Sequence, residues 1–360
     1  MNPVDQMMRQ AIFDGVFPGG VLLFSKNASI IYHQAYGYAN IFSKIPMTAN
    51  TIFDLASLTK PLATTLAVMK LVSQKKIELK QHLGDILHPF KGSAKAHIRI
   101  EHLLYHNSGL PDYRPFFKRL KRLPQDQRKD ALRVLLVQEP LVHPIGQKTL
   151  YSDLGFMILC WVVEMVSGER LDRFVEKKIY FPLGIENLFF VDLEARPVHL
   201  NFAATEQCPW RETLLTGMVH DDNAYVIGGI DGHAGLFGSA GGVHMMLTTL
   251  QAGFKGKAIA QVFEKKLLHQ FFERNADSKR ALGFDTPAAS GSSCGRHFSK
   301  TSVGHLGFTG TSFWMDLEQG IIVILLTNRV HPSRDNNRIK HFRPMLHDTI
   351  MEQINFDTSV

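Results

Sequence analysis

Segments with the pattern of β-strands lie at both ends of the chain, and helix-patterned segments separate them. Near the amino terminus, residues 21–25 and 29–36 read as two strands with a turn between them. Near the carboxyl terminus, residues 309–316 alternate, and residues 320–327 form a continuous run rich in β-branched side chains. A short polar loop joins these last two, which predicts a hairpin. Strands from both ends can share one antiparallel sheet, which makes the intervening chain an insertion.

The intervening chain has helical periodicity. Residues 114–138 are basic and amphipathic, and residues 151–166 are strongly apolar and end at Gly168, a typical helix stop. Further amphipathic helices are predicted at residues 4–14 and about 338–354, outside the strands.

These patterns predict an α+β fold, an antiparallel β-sheet flanked by N- and C-terminal helices with an inserted all-helical lobe. The α/β lobe is expected to be discontinuous, from residues 1–76 and 225–360, and the helical lobe to comprise residues 77–224. A site between two lobes is the usual place for a substrate, so the active site is expected in that cleft.

Composition excludes several classes of function. The chain has 360 residues, of which 45% are hydrophobic and 20% charged, as in ordinary soluble proteins. Its formal charge of +7 comes from scattered basic residues without a nucleic-acid-binding motif, which argues against a nucleic-acid partner. The predicted partner is a small-molecule or peptide substrate. The oligomeric state cannot be read from the sequence, and a monomer is compatible with it.

The cysteine pattern and the amino terminus bear on cofactors and location. Cys160, Cys208 and Cys294 are far apart and odd in number, so neither a metal site nor a disulfide framework is expected, and no cofactor is predicted. The chain lacks a run of about 20 apolar residues and begins without a signal-peptide pattern. The prediction is a cytoplasmic protein without a membrane span, periplasmic only if a leader has been removed.

The stretch from Ser57 to Pro61 places a hydroxyl and an amine three residues apart at the start of an apolar-striped helix. Ser57 could therefore be a nucleophile, with Lys60 on the same face to accept its proton. Pro61 is compatible with a first helical turn. Ser-x-x-Lys also arises by chance, and a second copy, Ser73 to Lys76, lies at the polar end of the same helix.

Two further motifs carry chemistry. Tyr151 is expected to open the apolar helix, where a tyrosine can relay protons if a cation lowers its pKa. The alternative is that Tyr151 packs between the lobes while Ser152 or Asp153 caps the helix. Tyr38, in a strand-to-loop region, starts a similar stretch with no helix after it.

His305-x-Gly307 opens the last hairpin, and its glycine would allow close approach of the backbone to a substrate. His233-x-Gly235 is a second copy without a following alternating strand. The run from His220 to Asn223 holds possible metal ligands, but a polar loop is the favoured interpretation. His102 and His106 could face together on a helix, although the following turn favours a structural hydrogen-bonding role.

Taken together, Ser57-x-x-Lys60, Tyr151-x-Asp153 and His305-x-Gly307 resemble the signature elements of the serine β-lactamase and penicillin-binding-protein superfamily. The likeness is greatest to the class C branch, which includes esterases and D-amino-acid peptidases, and covers about residues 15–330. Supporting stretches are residues 53–60, 102–111, 233–237 and 324–328.

The resemblance implies an active site between an α/β lobe and a helical lobe. Ser57 would be the acylated nucleophile, Lys60 its proton acceptor, and Tyr151 the group that shares proton transfer and protonates the leaving group. The oxyanion hole would consist of the backbone N–H groups of Ser57 and Phe308.

Two departures from that pattern narrow the expected chemistry. His305 replaces a lysine, and a histidine is mostly neutral at pH 7, so a cleft without the usual cation is expected. Asp153 replaces an asparagine, and its charge would favour the ammonium form of Lys60, although Asp153 could instead meet a substrate amine. Both changes favour a serine hydrolase acting on an ester or a D-aminoacyl amide. The alternatives are a D,D-carboxypeptidase or β-lactamase, and a non-catalytic ligand-binding protein.

Overall fold

A computed structural model describes residues 2–195, 200–259 and 262–356 of the chain. The helices are α1 (Pro3–Phe13), α2 (Thr65–Ser73), α3 (Leu83–Ile86), α4 (Ile100–Leu104), α5 (Phe117–Leu120), α6 (Gln125–Gln138), α7 (Asp153–Ser167), α8 (Leu171–Val175), α9 (Asp222–Val226), α10 (Ala240–Phe254), α11 (Lys265–Phe272) and α12 (Ile339–Phe356). The strands are β1 (Gly19–Lys26), β2 (Ser29–Asn40), β3 (Ile45–Pro46), β4 (Phe53–Asp54), β5 (Leu188–Phe190), β6 (Gln207–Cys208), β7 (Thr213–Leu214), β8 (Leu236–Gly238), β9 (Val303–Leu306), β10 (Ser312–Met315) and β11 (Ile321–Thr327).

The main sheet has six antiparallel strands in the order β3-β2-β1-β11-β10-β9. Strand β1 from the amino terminus pairs with β11 from the carboxyl terminus, with Leu23 opposite Ile324. The expected single sheet from both ends of the chain is therefore confirmed.

The continuous apolar run of β11 is explained by burial on both faces of the sheet. Val323 and Leu325 face a core closed by α1 and α12, whereas Ile322 and Ile324 face the larger core beneath α10. All seven residues of β11 are buried, because helices cover both sides of the sheet at this strand.

The final strands differ from the predicted bounds. The strand expected at residues 309–316 begins only at Ser312, and β9 precedes it as a separate edge strand that contains His305. A tight turn lies between them: Gly307 N–H donates to the Thr311 carbonyl at 2.7 Å, and Gly310 has φ +105°. This turn interrupts the alternation, since φ in this range is favoured by glycine.

Helix α7 is the centre of the helical part of the chain, and every residue from Leu154 to Val163 is buried. Ser152 caps it by accepting a hydrogen bond from Gly155 N–H at 3.2 Å, and Gly168 ends it with φ +73°. Tyr151 therefore precedes the helix by two residues, and the prediction that it opens the helix is wrong because the cap lies at Ser152.

Residues 77–224 contain mostly helices, together with the short strands β5, β6 and β7. Strand β5 joins β4 and β8 in a three-stranded sheet, and β6 pairs with β7. Strands of two or three residues have no periodicity that a sequence could reveal. The boundaries of the two lobes stay a prediction. Among the described residues, no helix has the length and apolar character to cross a membrane.

Candidate active site

Ser57 lies in a single 3₁₀ turn, Ala56–Leu58, which follows strand β4. Ala56 has φ +47°, a conformation that a residue with a Cβ adopts at an energetic cost. Asp54 holds this conformation, because its carboxylate accepts hydrogen bonds from Ala56 N–H at 2.8 Å and from His220 N–H at 2.6 Å. The serine is therefore presented on a strained and firmly held turn.

Lys60 begins a π-helical turn, Lys60–Thr64, that leads into α2, and its side chain is completely buried. Its Nζ donates to Ser57 Oγ at 3.1 Å and to the His233 carbonyl at 3.0 Å, and it lies 2.7 Å from Asp153 Oδ1. Two of the three ammonium N–H groups therefore donate hydrogen bonds, and Asp153 pairs with Lys60 by charge. The expected placement of Ser57 and Lys60 on one face is confirmed.

Opposing effects act on the Lys60 pKa. Burial lowers it, but the negative charge of Asp153 and interactions with Tyr151 more than compensate, so the pKa is raised. Lys60 is thus an ammonium ion near neutral pH, as the aspartate at position 153 led us to expect.

Tyr151 completes this cluster. Its hydroxyl interacts with the side chains of both Lys60 and Ser57, and Lys60 Nζ lies 4.9 Å from the centre of its ring. Burial raises the Tyr151 pKa, and the charge of Lys60 offsets only part of that rise, so the group is a neutral phenol. The ring stacks on His106 at 4.5 Å between centroids.

His106 has the structural role that its turn suggested. Its Nδ1 accepts a hydrogen bond from Ser152 N–H at 2.9 Å, which fixes the backbone just before α7. Ser152 caps the helix, as the structural interpretation of this stretch predicted, and Tyr151 borders the same cavity as Ser57. The role of Tyr151 in proton transfer stays a prediction.

His305 lies in the edge strand β9 with only 1% of its surface exposed, and its ring centre is 5.9 Å from that of Tyr151. Burial lowers the pKa of His305 to about 4, so the imidazole is neutral at pH 7. A Cβ on Gly307 would lie 2.0 Å from Thr311 Oγ1 and 2.7 Å from the Leu55 carbonyl. Only glycine lets this turn lie against the residues that precede Ser57.

The two backbone amides expected to form an oxyanion hole are those of Ser57 and Phe308. Neither has a hydrogen-bond partner within the part of the chain that the structure describes. Arg329 fixes the position of Phe308, because its guanidinium donates to the Phe308 carbonyl and its Cζ lies 4.7 Å from the centre of the Phe308 ring.

Ser57, Tyr151 and Phe308 border two cavities of about 380 and 370 Å³, so the cleft extends to both sides of the serine. The first cavity contains carboxylates and is also lined by Ala56, Tyr113, Asp153, His220, Asp221, Asp222, His233, Ala234 and Arg334. The second is rich in cations and is also lined by Arg280, Asp285, His305, Leu306, Gly307, Arg329, Asn337, Ile339, Lys340 and Arg343.

Comparison with known proteins agrees with this geometry. A sequence model of the family described as Beta-lactamase matches residues 4–343. The chain belongs to the beta-lactamase family. It is 33% identical to an N-acetylmuramyl-L-alanine amidase of Bacillus subtilis (strain 168), over 92% of this chain and 81% of that protein. It is 31% identical to a putative D-alanyl-D-alanine carboxypeptidase of Escherichia coli (strain K12), over 92% of this chain and 82% of that protein.

Solved structures of similar fold include EstCE1, a hydrolase with promiscuous acyltransferase activity, with a TM-score of 0.75, 24% identity and 97% coverage of both chains. An octameric penicillin-binding protein homologue from Pyrococcus abyssi has a TM-score of 0.72 and 18% identity, covering 97% of this chain and 77% of that one. The predicted α+β fold and the prediction of a serine hydrolase of esters or amides are confirmed.

This beta-lactamase-family protein has site residues that sequence reasoning missed. His233 belongs to the second His-x-Gly copy and was not predicted to be a site residue. Its carbonyl nevertheless accepts a hydrogen bond from Lys60 Nζ, and its Nε2 lies 2.8 Å from Asp221 Oδ1. Burial lowers the His233 pKa, but the charge of Asp221 prevails and raises it to about 10. The sequence indicated these residues only through the His-Asp-Asp run and the glycine-rich stretch near His233. No spacing rule connects either stretch to Ser57, so their place in the site could not be predicted.

The run from His220 to Asn223 was expected to be a polar loop, but Asp222 begins α9, and Asp221 caps that helix by accepting a hydrogen bond from Ala224 N–H at 2.8 Å. Asp222 accepts from Arg211 and from Trp210 Nε1 at 2.7 and 2.9 Å. Position 305 lacks the usual cation, since its imidazole is neutral at pH 7, but the second cavity contains three arginines and a lysine from distant parts of the chain.

Proposed function

We propose that the protein hydrolyses a small ester or peptide amide through an acyl-enzyme on Ser57. The observation that carries this proposal is the contact between Ser57 Oγ and Lys60 Nζ at 3.1 Å, inside a network that includes Asp153 and Tyr151. A serine within hydrogen-bond reach of a buried amine, whose position a third group fixes, has the arrangement of an activated nucleophile.

The protonation states of Lys60 and Tyr151 determine which groups can accept and donate the proton in each step. Lys60 is an ammonium ion, so it can accept the Ser57 proton only as it passes one of its own to Asp153, 2.7 Å away. The Ser57 oxygen forms its bond to the substrate carbonyl carbon in this step. Tyr151 then gives its proton to the leaving atom as the scissile bond breaks. Tyr151 regains a proton from Lys60, and Asp153 returns one to Lys60, so the serine proton leaves with the alcohol or amine. Water repeats these steps to release the acid.

The negative charge that develops on the carbonyl oxygen needs donors in place beforehand. The amides of Ser57 and Phe308 fill this role, and each such donor contributes about 3–4 kcal/mol to lowering the barrier. Arg329 and Gly307 hold the Phe308 side of this pair in place.

The proposed substrate class rests partly on relatives. Two of the relatives above 30% identity are named an N-acetylmuramyl-L-alanine amidase and a putative D-alanyl-D-alanine carboxypeptidase, and both names denote cleavage of an amide bond. This favours a peptide amide as the second candidate beside a simple ester. D,D-carboxypeptidase activity is therefore the main alternative to test.

The test measures hydrolysis of p-nitrophenyl butyrate by the wild type, Ser57→Ala and Ser73→Ala. Ser73 begins the second Ser-x-x-Lys copy and donates to the Lys70 carbonyl at 2.8 Å, which makes it a matched control. We expect Ser57→Ala to lose at least about a thousandfold in kcat, and Ser73→Ala to keep its activity. A fluorophosphonate adduct should map to Ser57 by mass spectrometry. Equal rates for wild type and Ser57→Ala would contradict the proposal.

The same panel includes a D-alanyl-D-alanine peptide. Release of free D-alanine that depends on Ser57 would assign the peptidase alternative. Binding of the peptide by calorimetry, without turnover of any ester or peptide, would instead indicate a non-catalytic member of the family.

A further inference from the structure

Strand β2 is longer than the segment that covers its outer side. It has 12 residues and pairs with β1 along one side. On the outer side, β3 pairs only with Tyr38 and Asn40, and Met47 N–H donates to the Gly37 carbonyl at 2.9 Å. Residues 29–34 have no backbone partner on that side within the described ranges of the chain. These residues form a free edge of the main sheet.

The other boundaries of this sheet are protected in the usual ways. Strand β9 has only four residues and is covered, because Asp285 N–H donates to the Gly304 carbonyl at 2.8 Å and Gly304 N–H donates back at 3.0 Å. Strand β3 contains Pro46 and follows Lys44, and proline and lysine both discourage pairing at an edge. Among these devices the free edge has, in the described structure, only a bulge at Ile31, where the register with β1 shifts by one residue.

The free edge is uncharged and partly apolar. Residues 27–43 contain no Asp, Glu, Lys, Arg or Pro, whereas 20% of the whole chain is charged. Ile30 and Ile31 are 52% and 46% exposed. A partner that covers them would remove apolar surface from water, and its backbone could satisfy the outward N–H and C=O groups. The free edge is therefore suited to contact with another strand.

Side chains behind the free edge hold it in its extended conformation. Tyr32 stacks on Phe24 of β1 with ring centroids 5.0 Å apart, and its hydroxyl hydrogen bonds with that of Tyr36. Tyr36 in turn donates to the Asp5 carboxylate of α1 at 2.9 Å. Because the strand is already ordered, pairing with a partner would cost little conformational entropy.

We propose that two copies of the chain pair through their free edges, antiparallel across a twofold axis, so that two six-stranded sheets become one continuous sheet. The N–H and C=O groups of one edge match those of the other once one strand is reversed. Charge also favours a second copy at this position. Each copy carries +7, and the uncharged stretch is where two copies approach with least repulsion. The Ser57 cleft stays open, since β9 lies four strands from β2, about 19 Å away.

The test is sedimentation velocity of the full chain from about 1 to 200 µM, where the wild type should show a reversible monomer–dimer equilibrium. Ile30→Lys places a charge on both edges and should raise the dimer dissociation constant at least about tenfold. Ile30→Val, which keeps an apolar β-branched side chain, should dimerise like the wild type. Val134→Lys is the matched control and should also dimerise, because Val134 is 53% exposed but lies in α6, outside the sheet.

Hydrogen exchange of the wild type tests the pairing itself and does not depend on any variant folding. Amides of residues 29–34 should exchange more slowly at high than at low protein concentration, because only the dimer satisfies the outward N–H groups. A wild type that stays monomeric throughout, exchange at the free edge that is independent of concentration, or a folded Ile30→Lys variant with an unchanged dissociation constant would each overturn the proposal. None of these results depends on the role of Ser57.

Discussion

Asp153→Asn is the substitution that most directly tests how this site handles protons. In the wild type the Asp153 carboxylate lies 2.7 Å from the buried Lys60 ammonium. An opposite charge at such a distance raises a lysine pKa by about one to three units, or about 1.4–4 kcal/mol between the two protonation states. The variant loses this contribution while burial, the largest influence on Lys60, continues to lower the pKa.

The predicted change is in the shape of the pH–rate profile. In the proposed route Lys60 passes a proton to Asp153, so kcat/KM for a neutral ester should be flat between about pH 6 and 9. Without that acceptor, only unprotonated Lys60 can take the Ser57 proton. The Asp153→Asn profile should therefore rise about tenfold per pH unit until Lys60 is deprotonated.

The free energy of unfolding tests the same ion pair independently of the reaction rate. The wild-type Lys60 pKa lies above its ordinary value of 10.5, so the stabilisation from Lys60 is complete below pH 10.5 and is lost only above it. In Asp153→Asn the folded-state pKa falls towards 10.5, so most of this stabilisation is lost. The variant should therefore be less stable than the wild type by up to about 1.4–4 kcal/mol below pH 10.5.

The assay is p-nitrophenyl butyrate hydrolysis from pH 6 to 9.5, corrected with Ser57→Ala, together with urea unfolding over the same range. Asp112→Asn is the control, because Asp112 is exposed and its carboxylate accepts from Tyr113 N–H rather than from Lys60. If the Asp153→Asn rate profile runs parallel to that of the wild type and its stability is unchanged, the carboxylate does not hold the ammonium, and the proton route is refuted.

Two further predictions concern the walls of the cleft. Gly307→Ala should lose at least about a hundredfold in kcat/KM, because its Cβ would lie 2.7 Å from the Leu55 carbonyl and displace the Phe308 amide. Gly241→Ala is the control and should keep its activity, because no atom would lie nearer than 3.8 Å to its Cβ. Similar losses of activity in both variants would disprove this account. His233→Asn should be less stable than the wild type, and the difference should be largest below pH 6.5 and shrink towards pH 10, because the raised His233 pKa confines the stabilisation to the protonated form. Urea unfolding at pH 6 and 9.5 checks this, and a constant difference would contradict it.

Local patterns predicted those parts of the site that lie within a single element. Ser57 and Lys60 are three residues apart in consecutive turns, and Ser152 and Gly168 mark the ends of α7, so spacing and capping rules were sufficient. The details of the turns were not predictable, because the 3₁₀ and π turns around Lys60 leave the same apolar stripe as an α-helix.

Contacts between segments that are distant in the sequence could not be predicted, because no local pattern records them. Lys60 meets His233 across 173 positions of sequence, and the cations of the second cavity come from three separate elements. Nothing in the local sequence of Arg343 distinguishes it from a solvated helix residue. It becomes buried only once α12 packs on the sheet.

In the proposed route, the charges around Tyr151 explain how a phenol with a raised pKa can protonate the leaving group. Lys60 Nζ and Arg280 Cζ lie 4.9 and 5.6 Å from the centre of the Tyr151 ring. At rest, burial keeps the phenol protonated, which is the form needed to donate to a leaving group. When that proton departs, two fixed cations stabilise the phenolate in a low-dielectric site, so no rearrangement is required. Asp153 contributes by keeping Lys60 charged until the proton moves, and the aspartate that weakens Lys60 as a base thereby strengthens Tyr151 as an acid.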